Sequence, residues 1–327
     1  MASAPEPHAI FGPVGADLET IDAGVRRLIE NDPDVVSAPM ADLFEAGGKR
    51  IRPALVLLAA KCGAYDLGKL TPAAMAVELI HAATLVHDDV IDRAEVRRGR
   101  PTVAAKLGDE AAIVVGDFYF AKAYEQAAFT DSPEAVAILA RAVMDICAGE
   151  VRQQAIRFRY DTDVDEYMRR IEAKTATLLA ACCDIGALLG GLDDRKRSAV
   201  RAYGRLLGLA FQIADDVLDY ESSEYEIGKP IGHDIAEGFA TLPLMMAIED
   251  GNVARTLEKL LESHRELTGS EAHEVVELVR ASQGPARAIE RARELASQAR
   301  HQLESLGGGD AQVALAALTT YVVSRKL

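Results

Sequence analysis

A short acidic pattern occurs twice in this chain, each time after an apolar segment of helical composition. DDVID at residues 88–92 follows LIHAATLVH, and DDVLD at residues 215–219 follows GLAFQIA. Residues four positions apart lie on one face of an α-helix, about 6 Å apart along the axis. The first and last aspartates of each copy can therefore reach a common point, whereas the second is rotated away by about 100°.

The composition indicates an all-α protein. Of the 327 residues, 49% are apolar, which is enough for a large core. Ala and Leu dominate, and β-branched runs are short. Gly- and Pro-containing breaks separate segments that suit helices of about 15 to 25 residues. No linker divides the chain, so we predict that residues 1–327 form one domain, a single large helical bundle.

Charge and targeting signals restrict the partners and the location. The formal net charge of −15 and the pI of about 5.0 disfavour nucleic acid and anionic membranes as partners. The four cysteines form no CxxC pair, the first residues lack a secretory pattern, and no run of about 18 uncharged apolar residues occurs. We therefore expect a cytoplasmic protein with no membrane span and no nucleic-acid partner.

Six carboxylates in two clusters indicate a metal site. Adjacent aspartates are common in an acidic chain, and the pair in LDDRK at 192–196 is interpreted as a loop or a helix N-cap. Two clusters of equal spacing, each closing an apolar helix, favour a functional interpretation instead. Carboxylates without His or Cys partners suit Mg²⁺, or Mn²⁺, which commonly shares the phosphates of a substrate. The predicted ligands are Asp88, Asp89, Asp92, Asp215, Asp216 and Asp219.

Basic residues, mostly beside glycines, accompany the acid clusters. They occur in GGKRIRP at 47–53, in RRGRP at 97–101, in EAKTA at 172–176 and in GKPIGHD at 228–234. Arginine binds phosphate oxygens in pairs, and helix N-termini favour anions. Acid clusters and basic loops together have the composition of a site for polyphosphate and metal ions.

These motifs, in this order, resemble those of the trans-prenyltransferases (polyprenyl diphosphate synthases), most closely the members that make hexaprenyl to decaprenyl products. The resemblance covers roughly residues 45–325 and rests on GGKRIRP, HDDVIDRAEVRRG, VGDF, AKTA, GLAFQIADDVLDY and GKPIGHDIAEG followed, after one residue, by ATLP. It implies the isoprenoid synthase fold, an all-α bundle around a deep central cavity with the acid clusters at its mouth. It also implies metal-dependent elongation of an allylic diphosphate by isopentenyl diphosphate, through an allylic carbocation.

The resemblance further implies roles for individual residues and an assembly. Catalysis would rest on Asp88, Asp92, Asp215 and Lys174. Isopentenyl diphosphate would be bound by Lys49, Arg52, His81 and Arg98. The allylic diphosphate would be bound by Arg97, Lys174, Thr175, Gln212 and Lys229. A homodimer is likewise an expectation from the family alone.

One position departs from the family pattern. The family usually has EGKxTLP after the second acid cluster, whereas this chain has EGFATLP, with Phe239 in place of a phosphate-facing lysine. Three explanations are open: Lys174 and Lys229 suffice, turnover is reduced, or the chain has a specialised role. We favour retained activity.

The helix before the first acid cluster bears on product length. Members that make short products often carry Phe or Tyr four or five residues before the first aspartate, where this chain has Thr84 and Ala83. Each further helical turn without an aromatic plug adds about 5.4 Å of depth. We expect a product of six or more isoprene units, with Phe118–Phe120 as candidates for a deeper floor. The predicted wall of the product tunnel is Val77, Ile80, Ala83 and Thr84.

Other functions remain open from the sequence. A short-chain synthase of farnesyl or geranylgeranyl diphosphate is the nearest alternative. A terpene cyclase or a head-to-head synthase also uses acid-rich helices and Mg²⁺, but has no need of GGKRIRP for a second diphosphate. A non-catalytic subunit of a heteromeric prenyltransferase is favoured only by Phe239, and two complete acid clusters argue against it.

Overall fold

The computed structural model describes residues 10–221 and 232–324, and α-helices dominate both ranges. Within these ranges the helices, numbered here in chain order, are α1 Gly15–Glu30, α2 Asp34–Glu45, α3 Ile51–Lys61, α4 Leu67–Ile91, α5 Val103–Leu107, α6 Asp109–Ala128, α7 Pro133–Ala155, α8 Val164–Ile171, α9 Thr177–Leu189, α10 Asp194–Glu221, α11 His233–Ala236, α12 Leu242–Ile248, α13 Ala254–Leu261, α14 Gly269–Ala281, α15 Gly284–Gln302 and α16 Asp310–Ser324. A π-helical turn covers Glu172–Ala176, 3₁₀ turns cover Gly12–Val14 and Leu303–Leu306, and β1 Val96–Arg97 pairs with β2 Arg100–Pro101. The predicted all-α class is confirmed.

The two acid clusters lie at the ends of two long helices, α4 and α10. Helix α9 packs against α3, α4 and α10, so it lies between the two acid helices. This packing requires glycine at one point, because a Cβ on Gly186 of α9 would lie 2.2 Å from the carbonyl oxygen of Val56 in α3. The close approach brings the basic start of α3 near both acid helices.

Helix α4 is buried because its residues are apolar on almost all sides. Leu79, Ile80 and Val86 belong to the core, and the Asp66 side chain caps the helix by accepting the Gly68 N–H at 3.0 Å. Among the described residues, α4 is the one helix long and apolar enough to cross a membrane. However, 67% of its apolar window is buried inside the protein. A core helix of a globular protein has the same properties.

A β-hairpin carries the basic segment that follows α4. Its turn residues, Arg98 and Gly99, have φ of 51° and 75°. Positive φ at both turn residues is what a type I′ hairpin turn requires. Arg100 donates hydrogen bonds to Asp42 and Glu45 of α2, so the hairpin is fastened to that helix.

One hydrophobic cluster of buried residues extends from Ile10 to Val322. The last described helix, α16, packs against α3 and α10. Tyr203 of α10 also donates a 2.7 Å hydrogen bond to the carbonyl oxygen of Leu315. The C-terminal helix therefore belongs to the same core as the acid helices.

Candidate active site

A cavity of about 820 Å³ is enclosed by most elements around the two acid helices. Its wall comes from α2, the GGKRIRP loop, α3, α4, the β-hairpin, α7, α8, the π-helical turn, α9, α10, α11 and the segment that precedes α12. Apolar, acidic and cationic side chains all contribute to its wall. Of the residues predicted from the sequence, the wall contains Lys49, Arg52, His81, Thr84, Asp88, Asp92, Arg97, Arg98, Lys174, Thr175, Gln212, Asp215 and Asp216. The acid clusters and the basic loops therefore meet at one cavity.

Two aspartates of the first cluster reach the cavity and one does not. Asp88 and Asp92 line it from the same face of α4. Asp89 is buried behind them and accepts a 2.7 Å hydrogen bond from Arg97 Nε. Because Arg97 itself lines the cavity, Asp89 acts on the site by holding that arginine.

Asp215 and Asp216 of the second cluster both line the cavity, and Asp216 is largely buried. Tyr167 Oη donates to Asp216 Oδ2 at 2.7 Å, and Gln212 Nε2 donates to Oδ1 at 2.8 Å. Burial raises the pKa of Asp216 to about 8, and the neighbouring Asp234 adds to the shift. Both oxygens of Asp216 are thus engaged by other side chains.

Asp219 contributes to the site through the backbone. Its carboxylate accepts the N–H groups of His233 at 3.2 Å and of Asp234 at 3.0 Å. Within the described residues, the cavity wall includes His233 and Asp234 but not Asp219. Asp219 therefore fixes the start of α11, and Asp234, which lies in the GKPIGHD motif but was assigned no role, brings a carboxylate to the cavity.

Lys174 lies beside the first acid cluster. Its Nζ is 2.8 Å from Glu150 Oε1 and 4.0 Å from Asp88 Oδ2. Burial raises the pKa of Asp88 to about 6; Lys174 opposes this shift, while Glu150 and Asp92 add to it. Glu150 was missed by sequence reasoning, because an isolated glutamate on a helix carries no motif.

The π-helical turn that carries Lys174 and Thr175 is enclosed by two glycines. A Cβ on Gly208 of α10 would lie 2.5 Å from Ala176 Cα, and a Cβ on Gly149 of α7 would lie 2.5 Å from Ala173 Cβ. A π turn holds one residue more than an α turn and therefore redirects the side chains around it. The absence of side chains on α7 and α10 at these points leaves room for the turn.

The arginines of GGKRIRP have different environments. Arg50 is paired with Asp22 at 2.7 Å and with Glu78 at 2.6 Å. Arg52 Nε is buried and has no hydrogen-bond partner among the described residues. A buried cationic donor without a partner is costly, so Arg52 is suited to receive an anion.

The other residues assigned to isopentenyl diphosphate surround Arg52. Burial, reinforced by Arg52 and Arg98, lowers the pKa of His81 well below its usual value, so this imidazole is neutral near pH 7. Arg98 Nη1 donates to the carbonyl oxygen of Gly47, which joins the hairpin turn to the GGKRIRP loop. Lys49 completes the group at the cavity wall.

Thr175 and Gln212, assigned to the allylic diphosphate, form a hydrogen-bonded pair. Thr175 Oγ1 donates to Gln212 Oε1 at 2.6 Å, and Gln212 in turn donates to Asp216. The pair therefore has a fixed orientation at the cavity wall. Lys229, assigned to the same group, lies outside the described residues.

Phe239 lines the cavity next to a buried arginine that sequence reasoning missed. The guanidinium carbon of Arg170 lies 5.7 Å from the centroid of the Phe239 ring and 5.4 Å from that of Tyr167. Arg170 Nη2 donates to the carbonyl oxygen of Ala240 at 2.7 Å. The contacts of Arg170 with Phe239 and Ala240 span about 70 positions, so local sequence patterns could not reveal them.

The cavity reaches only part of the predicted tunnel wall. Thr84 lines it, whereas Val77, Ile80 and Ala83 are fully buried and are not among the residues of its wall. The tunnel predicted along these three residues therefore stays a prediction. Apolar side chains that do line the cavity include Leu85, Ile146, Leu178 and Phe211.

The acidic part of the wall fits a hard divalent cation shared with a substrate. In the described part of the chain, no three His, Cys, Asp or Glu side chains are grouped closely enough to hold a metal ion alone. Within residues 10–221 and 232–324, Glu150 Oε2 is nevertheless buried without a partner, and the pKa of Asp88 is raised, so negative charge here is incompletely compensated. Mg²⁺ suits such a site, because it keeps several waters and binds substrate phosphates as well as carboxylates.

Comparison with known proteins agrees with the motifs. The family model described as Polyprenyl synthetase matches residues 33–279. The chain is 36% identical over 317 residues to heptaprenyl diphosphate synthase component 2 of Geobacillus stearothermophilus, covering 97% of this chain and 98% of that protein. It is 37% identical over 314 residues to nonaprenyl diphosphate synthase of Mycobacterium tuberculosis, covering 93% of each.

A solved structure has the same fold. The polyprenyl synthase from Caulobacter crescentus CB15, crystallised with calcium and isoprenyl diphosphate, matches with a TM-score of 0.92 at 35% identity, covering 100% of both chains. The predicted isoprenoid synthase fold is confirmed. Motifs, cavity and relatives agree: the chain belongs to the polyprenyl synthetase family and is a trans-prenyltransferase.

Proposed function

We propose that this cavity joins an allylic prenyl diphosphate to isopentenyl diphosphate, giving an all-trans polyprenyl diphosphate of six or more isoprene units and free diphosphate. The observation that carries this proposal is the presence of two anion-binding groups in one cavity. One group contains the buried Arg52, and the other contains Lys174 beside Asp88. A condensation of two diphosphates needs two such groups at a short distance.

The first group binds the diphosphate of the isopentenyl unit. Its members are Lys49, Arg52, His81 and Arg98. Arg52 and Arg98 supply permanent charge, and guanidinium groups match phosphate oxygens in pairs. Neutral His81 adds a hydrogen bond. Arg50, already paired with Asp22 and Glu78, holds α3 to its neighbours instead.

The second group binds the allylic diphosphate together with metal ions. Its members are Arg97, Lys174, Thr175, Gln212 and Lys229, with Asp88, Asp92 and Asp215 as the ligands of Mg²⁺ or Mn²⁺. Asp89 and Asp219 support the site from behind the wall, by holding Arg97 and the start of α11. Asp216, in the wall itself, accepts a hydrogen bond from Gln212 and so fixes that side chain. When bound, Mg²⁺ neutralises the charge that develops on the departing diphosphate.

The reaction begins when the carbon–oxygen bond of the allylic diphosphate breaks. Lys174 donates to the leaving group, and the Thr175–Gln212 pair fixes its position. The double bond of the isopentenyl unit attacks the allylic carbocation, and the departed diphosphate accepts the proton that is then lost. Apolar wall residues such as Ile146 and Leu178 exclude water, which would otherwise capture the carbocation.

A long product is supported by the small side chains on α4. Thr84 is the polar residue next to the apolar wall, and no aromatic residue stands at it or at Ala83. A growing chain can therefore pass Thr84 toward Ile146 and Leu178. Movement of α4 and α6 would let the tunnel extend along Ala83, Ile80 and Val77.

We further propose that residues 1–327 act as one domain of a cytoplasmic homodimer. Helices α6 and α7 leave large apolar side chains exposed, which a second copy of the chain would cover. These residues are Ile113, Val114, Phe129, Met144 and Val151, with exposed fractions of 45%, 63%, 61%, 68% and 74%. On α7, Met144 and Val151 lie seven positions apart and share one face.

A second candidate is catalysis together with a different subunit. It is favoured by the name of one relative, which is described as component 2 of its synthase. In that case the exposed face of α6 and α7 would be covered by another protein, and the chain alone would have little activity. The assay below separates the two candidates.

The decisive experiment uses the purified chain alone with Mg²⁺, farnesyl diphosphate and labelled isopentenyl diphosphate. Dephosphorylated products are then sized by chromatography, and the mass of the active species is measured by light scattering. We expect dimers and a product of six or more units. Products of only three or four units would refute the long-chain proposal, and an inactive chain would favour the two-component candidate.

A further inference from the structure

The cavity wall contains a cation that the roles above do not use. Arg170 at the end of α8 is 8% exposed, and its guanidinium group stands near the rings of Tyr167 and Phe239. Its one hydrogen bond in the described part of the chain runs to the carbonyl oxygen of Ala240. Within those residues it forms no ion pair with a carboxylate.

This environment differs from that of the enclosed arginines that are paired with carboxylates. Arg50 is neutralised by Glu78, and Arg197 lies 2.5 Å from Asp184. A guanidinium group has five N–H donors, and Arg170 uses one of them within the described residues. Aromatic rings stabilise a guanidinium cation without cancelling its charge or occupying its in-plane donors. The charge of Arg170 is therefore retained at the wall of a cavity that takes anions.

Arg170 shares the cavity wall with members of the allylic group. Arg170 and Phe239 line the same cavity as Gln212 and Lys174. The ring of Tyr167 lies next to Arg170. The Tyr167 hydroxyl donates a hydrogen bond to Asp216, which also accepts one from Gln212. Arg170 is thus linked, through Tyr167 and Asp216, to Gln212 of the predicted allylic diphosphate site.

We propose that Arg170 binds the diphosphate of the allylic substrate and that Phe239 keeps its guanidinium group at the cavity wall. This inference rests on the function proposed above. The family pattern that this chain resembles usually has a lysine at the position of Phe239, and in this chain the Phe239 ring lies next to the guanidinium group of Arg170. The cation is supplied from α8 instead of from the EGFATLP segment.

The test compares Arg170→Met with Arg169→Met. Arg169 is the adjacent residue, is exposed, and is paired with Glu166, so its variant makes the same chemical change outside the cavity. We expect Arg170→Met to raise the KM for farnesyl diphosphate by about tenfold or more, and to leave the KM for isopentenyl diphosphate within about twofold. Arg169→Met should change neither constant. An equal rise in both constants, or no rise, would overturn the proposal.

Two further measurements keep the test informative. The double variant Arg170→Met/Phe239→Lys should recover most of the lost affinity, because it returns a cation to the same place; a purely structural Arg170 would not be rescued by it. Calorimetric titration with inorganic pyrophosphate and Mg²⁺ should show weaker binding to Arg170→Met than to Arg170→Lys or the wild-type chain. This titration needs no turnover, so an inactive wild-type chain would refute the proposed function while the role of Arg170 is still decided.

Discussion

Lys174 Nζ lies 2.8 Å from Glu150 Oε1, and the other oxygen of that carboxylate is buried without a hydrogen-bond partner among the described residues. One ammonium group therefore faces the charges of both Glu150 and Asp88. Because burial and Glu150 both favour the protonated form of Asp88, its pKa is raised to about 6. The acidic wall is arranged to bind a cation most strongly when these carboxylates are ionised.

The affinity for Mg²⁺ should depend on pH in a defined way. Protonation of Asp88 competes with the metal, so affinity should fall as pH decreases through about 6, by up to about tenfold per unit below it. In Glu150→Gln, one charge that raises this pKa is removed, and the midpoint should move to lower pH. Half-saturating Mg²⁺ concentrations measured between pH 5 and 8 check this. Asp145→Asn, an exposed change on the same helix, should leave the midpoint in place.

Asp216 should make the stability of the metal-free protein decrease with rising pH. Its pKa is about 8 in the folded chain against an ordinary 3.8, so between these values the folded state holds a proton that the unfolded state has released. This stabilising contribution is complete below the ordinary pKa and is lost as pH rises toward 8, at up to about 1.4 kcal/mol per unit. Urea unfolding in EDTA should show a shallower pH dependence for Asp216→Asn. The exposed change Asp131→Asn should retain the wild-type slope.

Gly208→Ala should damage catalysis from outside the cavity. Its added Cβ would lie 2.5 Å from Ala176 Cα and push the π-helical turn that carries Lys174. Overpacking of this kind costs about 1–3 kcal/mol of stability, and kcat should fall as the lysine is displaced. Urea unfolding and steady-state kinetics measure both effects. The matched change Gly269→Ala, where a Cβ would meet no atom of the described part of the chain within 4 Å, should alter neither.

Arg52→Met should weaken the binding of the isopentenyl unit selectively. Loss of a charge-assisted contact from a buried donor should raise the KM for isopentenyl diphosphate by about tenfold to a hundredfold. The KM for the allylic substrate should remain within about twofold. Lys61→Met removes a cation from the other end of the same helix and should have no effect. A larger rise in the KM for the allylic substrate than in the KM for isopentenyl diphosphate would reverse the assignment of the two anion-binding groups.

Thr84→Phe should shorten the product by at least one isoprene unit, because Thr84 lines the cavity and an aromatic ring would narrow it. Thr84→Val, of similar volume, should leave the length unchanged. Ala83→Phe is informative in another way. Ala83 is fully buried away from the cavity, so the ring should mainly reduce stability. A shorter product from a stable Ala83→Phe enzyme would show that the tunnel continues past that residue.

The sequence was sufficient to predict the helices that carry the acid clusters. Apolar segments without strand patterns predicted a helix before each acid cluster, as in α4 and α10, and the spacing of four residues predicted that Asp88 and Asp92 face the same side. The same geometry turns Asp89 away, where it bonds Arg97. The prediction that every aspartate of both clusters binds metal remains untested, since local spacing cannot decide what each carboxylate meets in space.

Residues whose role depends on distant partners were beyond sequence reasoning. Asp92 and Asp219 hold the same place in their motifs, yet Asp92 lines the cavity, while Asp219 accepts N–H groups from a helix 14 to 15 positions later. Glu150 and Arg170 belong to no motif, and their contacts appear only when α7, α8 and the segment before α12 are packed together. Such contacts follow from tertiary structure, which spacing along one helix does not encode.

The hydrogen bond between Arg98 and the carbonyl of Gly47 joins two cation-bearing loops that are 51 positions apart. Both loops are therefore ordered during folding, so substrate binding between them requires little further ordering of the loops. A synthase that adds many units repeats this binding step in every cycle, with a new isopentenyl unit each time. Because the two loops stay joined from one cycle to the next, every addition starts from the same pocket geometry. Only the growing chain changes its position.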